Sequence, residues 1–469
     1  MDETPAPATR RLRLLVGGLA CVALTLVILT GAGLPRQNRL RTPLPLMGAP
    51  SDPVELPDWP EPIEGRVLDG ESQTPLAGVS IHAGPLEVRT DADGRFSIGP
   101  LGEEITLLVK APGYEKKTVA ADHSPLAVSL SPQVIKAAYL TYFGVGDKAI
   151  RGRVFDLLGR TELNAVVIDV KGDRGMIPYR TGVPLALEAG AQGPVIIKEF
   201  DRMLADLKAR GVYTIARIVA FKDNVLAHSR PSWAVQDTRT GRPWMDNEKL
   251  AWVDPFREEV WGYVIAVAKE AAQKGFDEIQ FDYVRFPTDG KLGVARYAKA
   301  NTKENRLAAI SAFLAKAREE LAPLGVFLAA DIFGYTAFNE NDTDIGQRVE
   351  EMIPHLDYLS PMVYPSGYHR GIPRYRNPVD HPYEIVFESI KLIRKRSAHA
   401  TVKVRPWIQD FRDYAFDRRP FGVKEIRGQI KGAVDAGATG WMLWNPRNDY
   451  TAAALAPKIQ ASAKDEAGK

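Results

Sequence analysis

The sequence predicts an α/β chain: a (β/α)8 TIM barrel, preceded by a small all-β sandwich and a single N-terminal transmembrane helix. Three observations predict it. The run 14–34 is apolar, carries no charge, and at about 20 residues can cross a bilayer as a helix. Short alternating runs separated by turn residues fill 63–132. Strand-like and helix-like segments then alternate through 134–458, as a barrel of parallel strands requires.

The elements follow in order. Residues 1–34 read as a cytoplasmic N-terminus and signal anchor, because Arg10, Arg11 and Arg13 precede the apolar run. A cleaved signal peptide is the competing reading, with small residues near Ala32. In 35–62 prolines recur every few residues, the composition of an extended linker. In 63–132 the pair Asp93-Gly94, between "VRT" and "RFSI", predicts a hairpin in an antiparallel sandwich. The order of "GRVLDG", "PLAGVSI", "TDADGRFSI" and "APGY" resembles the carboxypeptidase regulatory-like (transthyretin-like) domain, which implies a spacer or a surface for a protein partner.

Barrel strands are expected at 137–143, 164–171, 213–221, 278–286, 326–334, 357–364, 402–411 and 440–445. Helical stretches such as "REEVWGYVIAVAKEAAQKG" lie between them, several closed by glycine before the next strand. A doubly wound sheet would need a glycine-rich phosphate loop after its first strand, and "TYFGVGDKA" is a poor one. Residues 459–469 read as a disordered tail.

Composition removes several functions. A net charge of +3 with no long basic run argues against nucleic acid as a partner. One cysteine, Cys21, leaves no disulfide framework and no thiol nucleophile beyond the apolar run. Seven histidines, none in a metal-binding pair, argue against a histidine metal site, so no metal and no cofactor is expected.

In a barrel, side chains alternate between lumen and helices, and the C-terminal strand ends line the active face. Asp282 stands at that end of the fourth strand, with Gln280 before it and Arg285 after it. The same position gives Asp169 and Lys171 on the second strand, Arg217 on the third and Asp331 on the fifth. It gives Tyr364 on the sixth, Arg405, Trp407 and Gln409 on the seventh, and Trp444 and Asn445 on the eighth. Phe281 and Tyr283 are expected to pack under the helices. Two carboxylates across a cleft can protonate a leaving oxygen and stabilise or attack an oxocarbenium-like centre. Rim aromatics can stack on sugar faces, and amides and arginines can bond hydroxyls.

The stretches "NAVVIDVKGDRG", "YTIARIVAFKDNVLA", "WVDPFREEVWGYVIAVAKEAAQKGFDEIQFDYVRFP", "LSPMVYPSGY" and "GWMLWNP" resemble the bacterial glycoside hydrolase-like domain, a barrel family of unknown function, from about Tyr139 to Tyr450. By analogy with the alpha-amylase clan, the resemblance implies Asp282 as nucleophile and Asp331 as acid. That clan commonly carries glutamate as the donor, and Asp169 is the reserve candidate. The expectation is a glycosidase of the bacterial inner membrane, single-pass, acting on an envelope or extracellular polysaccharide with its soluble domains on the periplasmic or extracellular side. A non-catalytic scaffold that binds glycan or protein is the alternative.

Overall fold

The structure, a computed structural model, describes residues 61–99 and 106–458. The expected membrane helix, nearly all of the linker and the tail lie outside those residues. Among the described residues, no helix is long and apolar enough to cross a membrane.

The first seven strands are β1 (Ile63–Asp69), β2 (Ser80–Ala83), β3 (Leu86–Arg89), β4 (Arg95–Ile98), β5 (Thr106–Lys110), β6 (Lys117–Ala120) and β7 (Leu126–Leu130). They form two sheets, in the orders β4-β1-β7 and β3-β2-β5-β6. Alternate residues point inward, so Val67, Ile81, Phe96, Val109 and Val128 share one core. Two expectations are corrected. β7 runs parallel to β1, so the sandwich is not wholly antiparallel. Asp93-Gly94 makes a turn, held by Asp91 Oδ1, which accepts the amides of Asp93 (2.9 Å) and Arg95 (2.8 Å). That turn carries the chain from one sheet to the other: β3 pairs with β2 and β4 with β1, so no hairpin forms there.

The second set of strands is β8 (Ile135–Leu140), β9 (Ala165–Lys171), β10 (Tyr213–Val219), β11 (Gln236–Asp237), β12 (Glu278–Asp282), β13 (Ala295–Arg296), β14 (Phe327–Phe333), β15 (Tyr358–Met362), β16 (Lys403–Val404), β17 (Trp407–Gln409) and β18 (Gly440–Trp444). β11 and β13 make a small antiparallel pair of their own. The others pair in parallel, and β14 meets β15 to close an eight-stranded barrel. The seventh barrel strand is split into β16 and β17, because Pro406 has no N–H to give to the ladder. Gly211 and Gly275 adopt φ of +67° and +98° after the helices Phe200–Ala209 and Glu258–Gln273, turning the chain into β10 and β12.

The lumen is filled in layers. At the N-terminal end Glu278 is ion-paired with Arg405 and accepts the Tyr213 hydroxyl (3.0 Å). The Arg405 guanidinium lies 4.3 Å from the centre of the Tyr358 ring. Arg405 therefore belongs to the floor of the barrel rather than to its mouth, where sequence position had put it. One layer up, Gln280 donates to Ser360 Oγ at 3.0 Å. The sandwich meets the barrel at its floor: Lys110 Nζ donates to the Val326 carbonyl (2.5 Å), the Gly113 amide to the Tyr358 hydroxyl (2.8 Å), and Lys116 pairs with Asp277 (3.4 Å).

Candidate active site

The top layer of the lumen collects charge. Asp169 and Arg217 are register partners on β9 and β10, and Arg217 Nη1 donates to Asp169 Oδ1 at 2.7 Å. The other edge of the guanidinium faces Asp282: Nε donates to Oδ2 at 3.0 Å, and Nη2 shares that oxygen. Arg217 thus lies between two carboxylates from the strands on either side. Planar, always charged and able to donate in a fork, it suits that position.

Asp282 ends β12, and Tyr283 turns the chain with φ +49°, which few side chains adopt. That turn lets the Tyr283 amide donate back to Asp282 Oδ1 at 2.6 Å. Both oxygens of Asp282 are therefore held. The turn also places Tyr283 differently from the expected site under the helices. It is half-buried, packed edge-on to Trp252, with Lys222 5.2 Å and Arg285 4.8 Å from its ring centre.

Asp331 has the opposite surroundings. It is 1% exposed, and its Oδ1 accepts Trp407 Nε1 at 2.7 Å, while Oδ2 has no partner. Burial, and next the charge of Asp282, push its pKa well above the usual carboxylate range. Asp169 is also raised by burial, although Arg217 and the Tyr139 hydroxyl, 2.6 Å from its Oδ2, act against the shift.

Aromatic rings wall this layer. Trp444 stacks on Tyr139 with ring centres 4.1 Å apart and stands perpendicular to Trp407 at 5.4 Å. The Arg217 guanidinium is 5.1 Å from the Trp444 ring and 5.4 Å from that of Tyr139. Tyr364, 6.5 Å from Trp444, completes the wall, and both are half-buried. Burial, and next the charge of Asp331, raise the Tyr364 pKa well above its ordinary value.

Of the residues singled out by sequence, Asp169, Arg217, Asp282, Asp331, Tyr364, Trp407 and Trp444 are brought together. The others lie elsewhere. Gln280 sits one layer down. Lys171 is wholly buried on the helix side, paired with Asp223 at 2.8 Å and 5.8 Å from the Tyr263 ring centre. The cause is a shift in register: Arg217 pairs with Asp169, but Ile218 pairs with Lys171, and the extra residue reverses the alternation. Gln409 bonds Ser366 Oγ (2.8 Å) and the Phe411 carbonyl (3.1 Å), and Asn445 bonds the carbonyls of Asp410 (2.5 Å) and Asp449 (2.6 Å). Both tie loops together. Arg285 makes no hydrogen bond to Asp282. It is packed among Trp252, Tyr283 and Phe333 and donates to the Phe286 carbonyl at 3.0 Å. Sequence reasoning missed Tyr139, whose signal was its period-2 spacing from lumen-facing Ala137 and Ile135.

The sequence matches, over residues 137–450, the family described as "Putative glycosyl hydrolase domain". A hypothetical protein of known structure from Ruminiclostridium thermocellum ATCC 27405 is 40% identical, over 41% of this chain and 96% of that one, with a TM-score of 0.37. The PgaB (BpsB) glycoside hydrolase domain from Bordetella bronchiseptica shares the fold at 13% identity, over 67% of this chain and 95% of that one, with a TM-score of 0.50. A chitinase from Chromobacterium violaceum ATCC 12472 is 13% identical over 68% and 96%, with a TM-score of 0.41. No curated protein matches the chain. With its barrel matched nearly from end to end, the chain belongs to this glycosyl hydrolase domain family.

Proposed function

We propose that the barrel hydrolyses glycosidic bonds of a polysaccharide, with Asp282 and Asp331 as its carboxylate pair. One observation carries this reading: two carboxyls in the top layer have opposite environments. Asp282 is saturated with N–H donors and paired with Arg217, as an anion requires. Asp331 has one donor, is buried, and feels the Asp282 charge, as a retained proton requires. Pairs of carboxyls driven apart in this way divide into acid and nucleophile or base. The Asp331 proton passes to the glycosidic oxygen as the bond to the anomeric carbon breaks. The Asp282 carboxylate faces the positive charge that develops on that carbon; a water then adds its oxygen to the carbon and gives up a proton, which restores the carboxyl pair. Asp169 holds Arg217 from behind. Tyr364 and Trp444 offer ring faces to the sugar.

The remainder of the reading rests on sequence. The apolar run 14–34 anchors the chain in a bacterial inner membrane, and the sandwich, which resembles a carboxypeptidase regulatory-like domain, is a spacer or protein-contact module. A non-catalytic glycan-binding barrel is the second reading, favoured by the depth of the pair, 5% and 1% exposed. The test is release of reducing ends from soluble polysaccharides. Asp282→Asn is expected to lower it by at least about 100-fold while folding and glycan binding persist. Undiminished release would remove Asp282 from the mechanism, and binding without release in the unaltered protein would establish the scaffold.

A further inference from the structure

A concavity lies beside Asp169, lined by none of the residues assigned to the reaction. It has a volume of about 250 Å³ and is lined by Tyr142, Phe143, Gly172, Asp173, Arg174, Met176, Pro194 and Ile196. Its walls are the loops that follow β8 and β9, so it opens on the active face. Phe143 is 70% exposed, the largest exposure among the described large apolar side chains, and it meets Tyr142 edge-on with ring centres 5.0 Å apart. The exposed ring adjoins the mostly apolar lining of the hollow, so the two form one apolar surface at the mouth.

One hydrogen bond and one shared glycine join this hollow to the site. The Tyr142 amide donates to Asp169 Oδ2 at 3.0 Å. Gly172 forms part of the lining, and a Cβ placed there would lie 3.7 Å from Tyr142 Cβ and 3.9 Å from Asp169 Oδ2. The same wall therefore backs both the hollow and the carboxylate layer. Asp173 and Arg174 are the charged residues of its otherwise mostly apolar lining, and neither forms an ion pair among the described residues. A pyranose has the matching character, with C–H faces that stack and hydroxyls around its edge.

We propose that this hollow is a sugar-binding subsite, in which Phe143 stacks on one ring of the glycan while Asp173 and Arg174 bond its hydroxyls. The proposal rests on the glycosidase reading for the nature of the occupant, and its test is independent of cleavage. The full chain is run in native gels containing dextran, xylan, polygalacturonate or glycol chitin, as the unaltered protein and as Phe143→Ala and Phe143→Trp. The expected result is retardation of the unaltered protein by at least one polymer, a dissociation constant about tenfold weaker for Phe143→Ala, and restoration by Phe143→Trp. The substitution is at an exposed position, and an unchanged melting temperature separates lost binding from lost fold. Equal retardation of Phe143→Ala overturns the subsite, and if reducing ends are still released the hydrolase reading stands. Retardation lost in Phe143→Ala with no release from any polymer supports the subsite and sinks the hydrolase reading. No retardation of the unaltered protein by any polymer overturns the subsite. So does an effect of Phe143→Ala on oligomeric state alone, which would make the ring a contact between copies.

Discussion

Burial of the Asp331 carboxyl works against the fold as pH rises. Its pKa is raised by burial and by Asp282, so the folded chain holds the proton to a higher pH than the unfolded chain does. Between those two values unfolding releases a proton, and stability falls as pH rises across the window. Asp331→Asn removes the ionisation and keeps an acceptor for Trp407 Nε1. The variant is expected to melt at a higher temperature than the parent at pH 7, and the gain is expected to vanish below about pH 4, where the parent is protonated in both states. Hydrolysis is expected to fall by at least about 100-fold. In the parent, hydrolysis is expected to decline as pH rises through the Asp331 pKa, since the acid is then spent. Scanning calorimetry and a pH–rate profile check both statements. A variant that melts lower at pH 7 would show that the carboxylate is better accommodated than its surroundings suggest.

At the scale of strands, Glu278 on β12 and Arg405 between β16 and β17 form an ion pair sealed inside the lumen. Arg405 Nε and Nη1 have no hydrogen-bond partner, so the pair satisfies itself incompletely. Removing one member strands the other. Arg405→Met is expected to cost about 3–5 kcal/mol, and adding Glu278→Leu is expected to restore most of it, read as urea midpoints at constant slope. All eight barrel strands were legible in the sequence, because strands covered on both faces leave apolar runs such as "NAVVID". Period-2 counting also reached Asp282 and Asp331 at the strand ends. It failed where backbone geometry broke the period. The register shift between Arg217 and Ile218 sent Lys171 outward, the left-handed Tyr283 turned its ring toward Lys222 and Arg285, and Pro406 split the seventh strand. Tyr139 passed as core because an aromatic within an apolar run gives no sign of where its hydroxyl points. The parallel pairing of β1 with β7 depends on contacts too distant in sequence for any local signal.

For the whole molecule, the sandwich and the mouth occupy opposite ends of the barrel. The Gly113–Tyr358 bond is one of the few polar ties between the two parts. Tyr358→Phe deletes it and is expected to lower stability by about 1 kcal/mol with hydrolysis unchanged, measured by denaturant unfolding and reducing-end release. A fall in hydrolysis would mean that the floor of the barrel communicates with the carboxylates. With Asp331 as the proposed acid, the same filled floor governs the supply of hydrogen ions. Tyr213, Glu278, Arg405 and Tyr358 plug the lumen below Gln280, and the sandwich covers the plug from outside. An Asp331 that has given up its proton can be recharged only by solvent entering from above. On the proposed mechanism that is also the side from which the glycan enters, so product has to clear the mouth, or admit water past itself, before the next bond is broken.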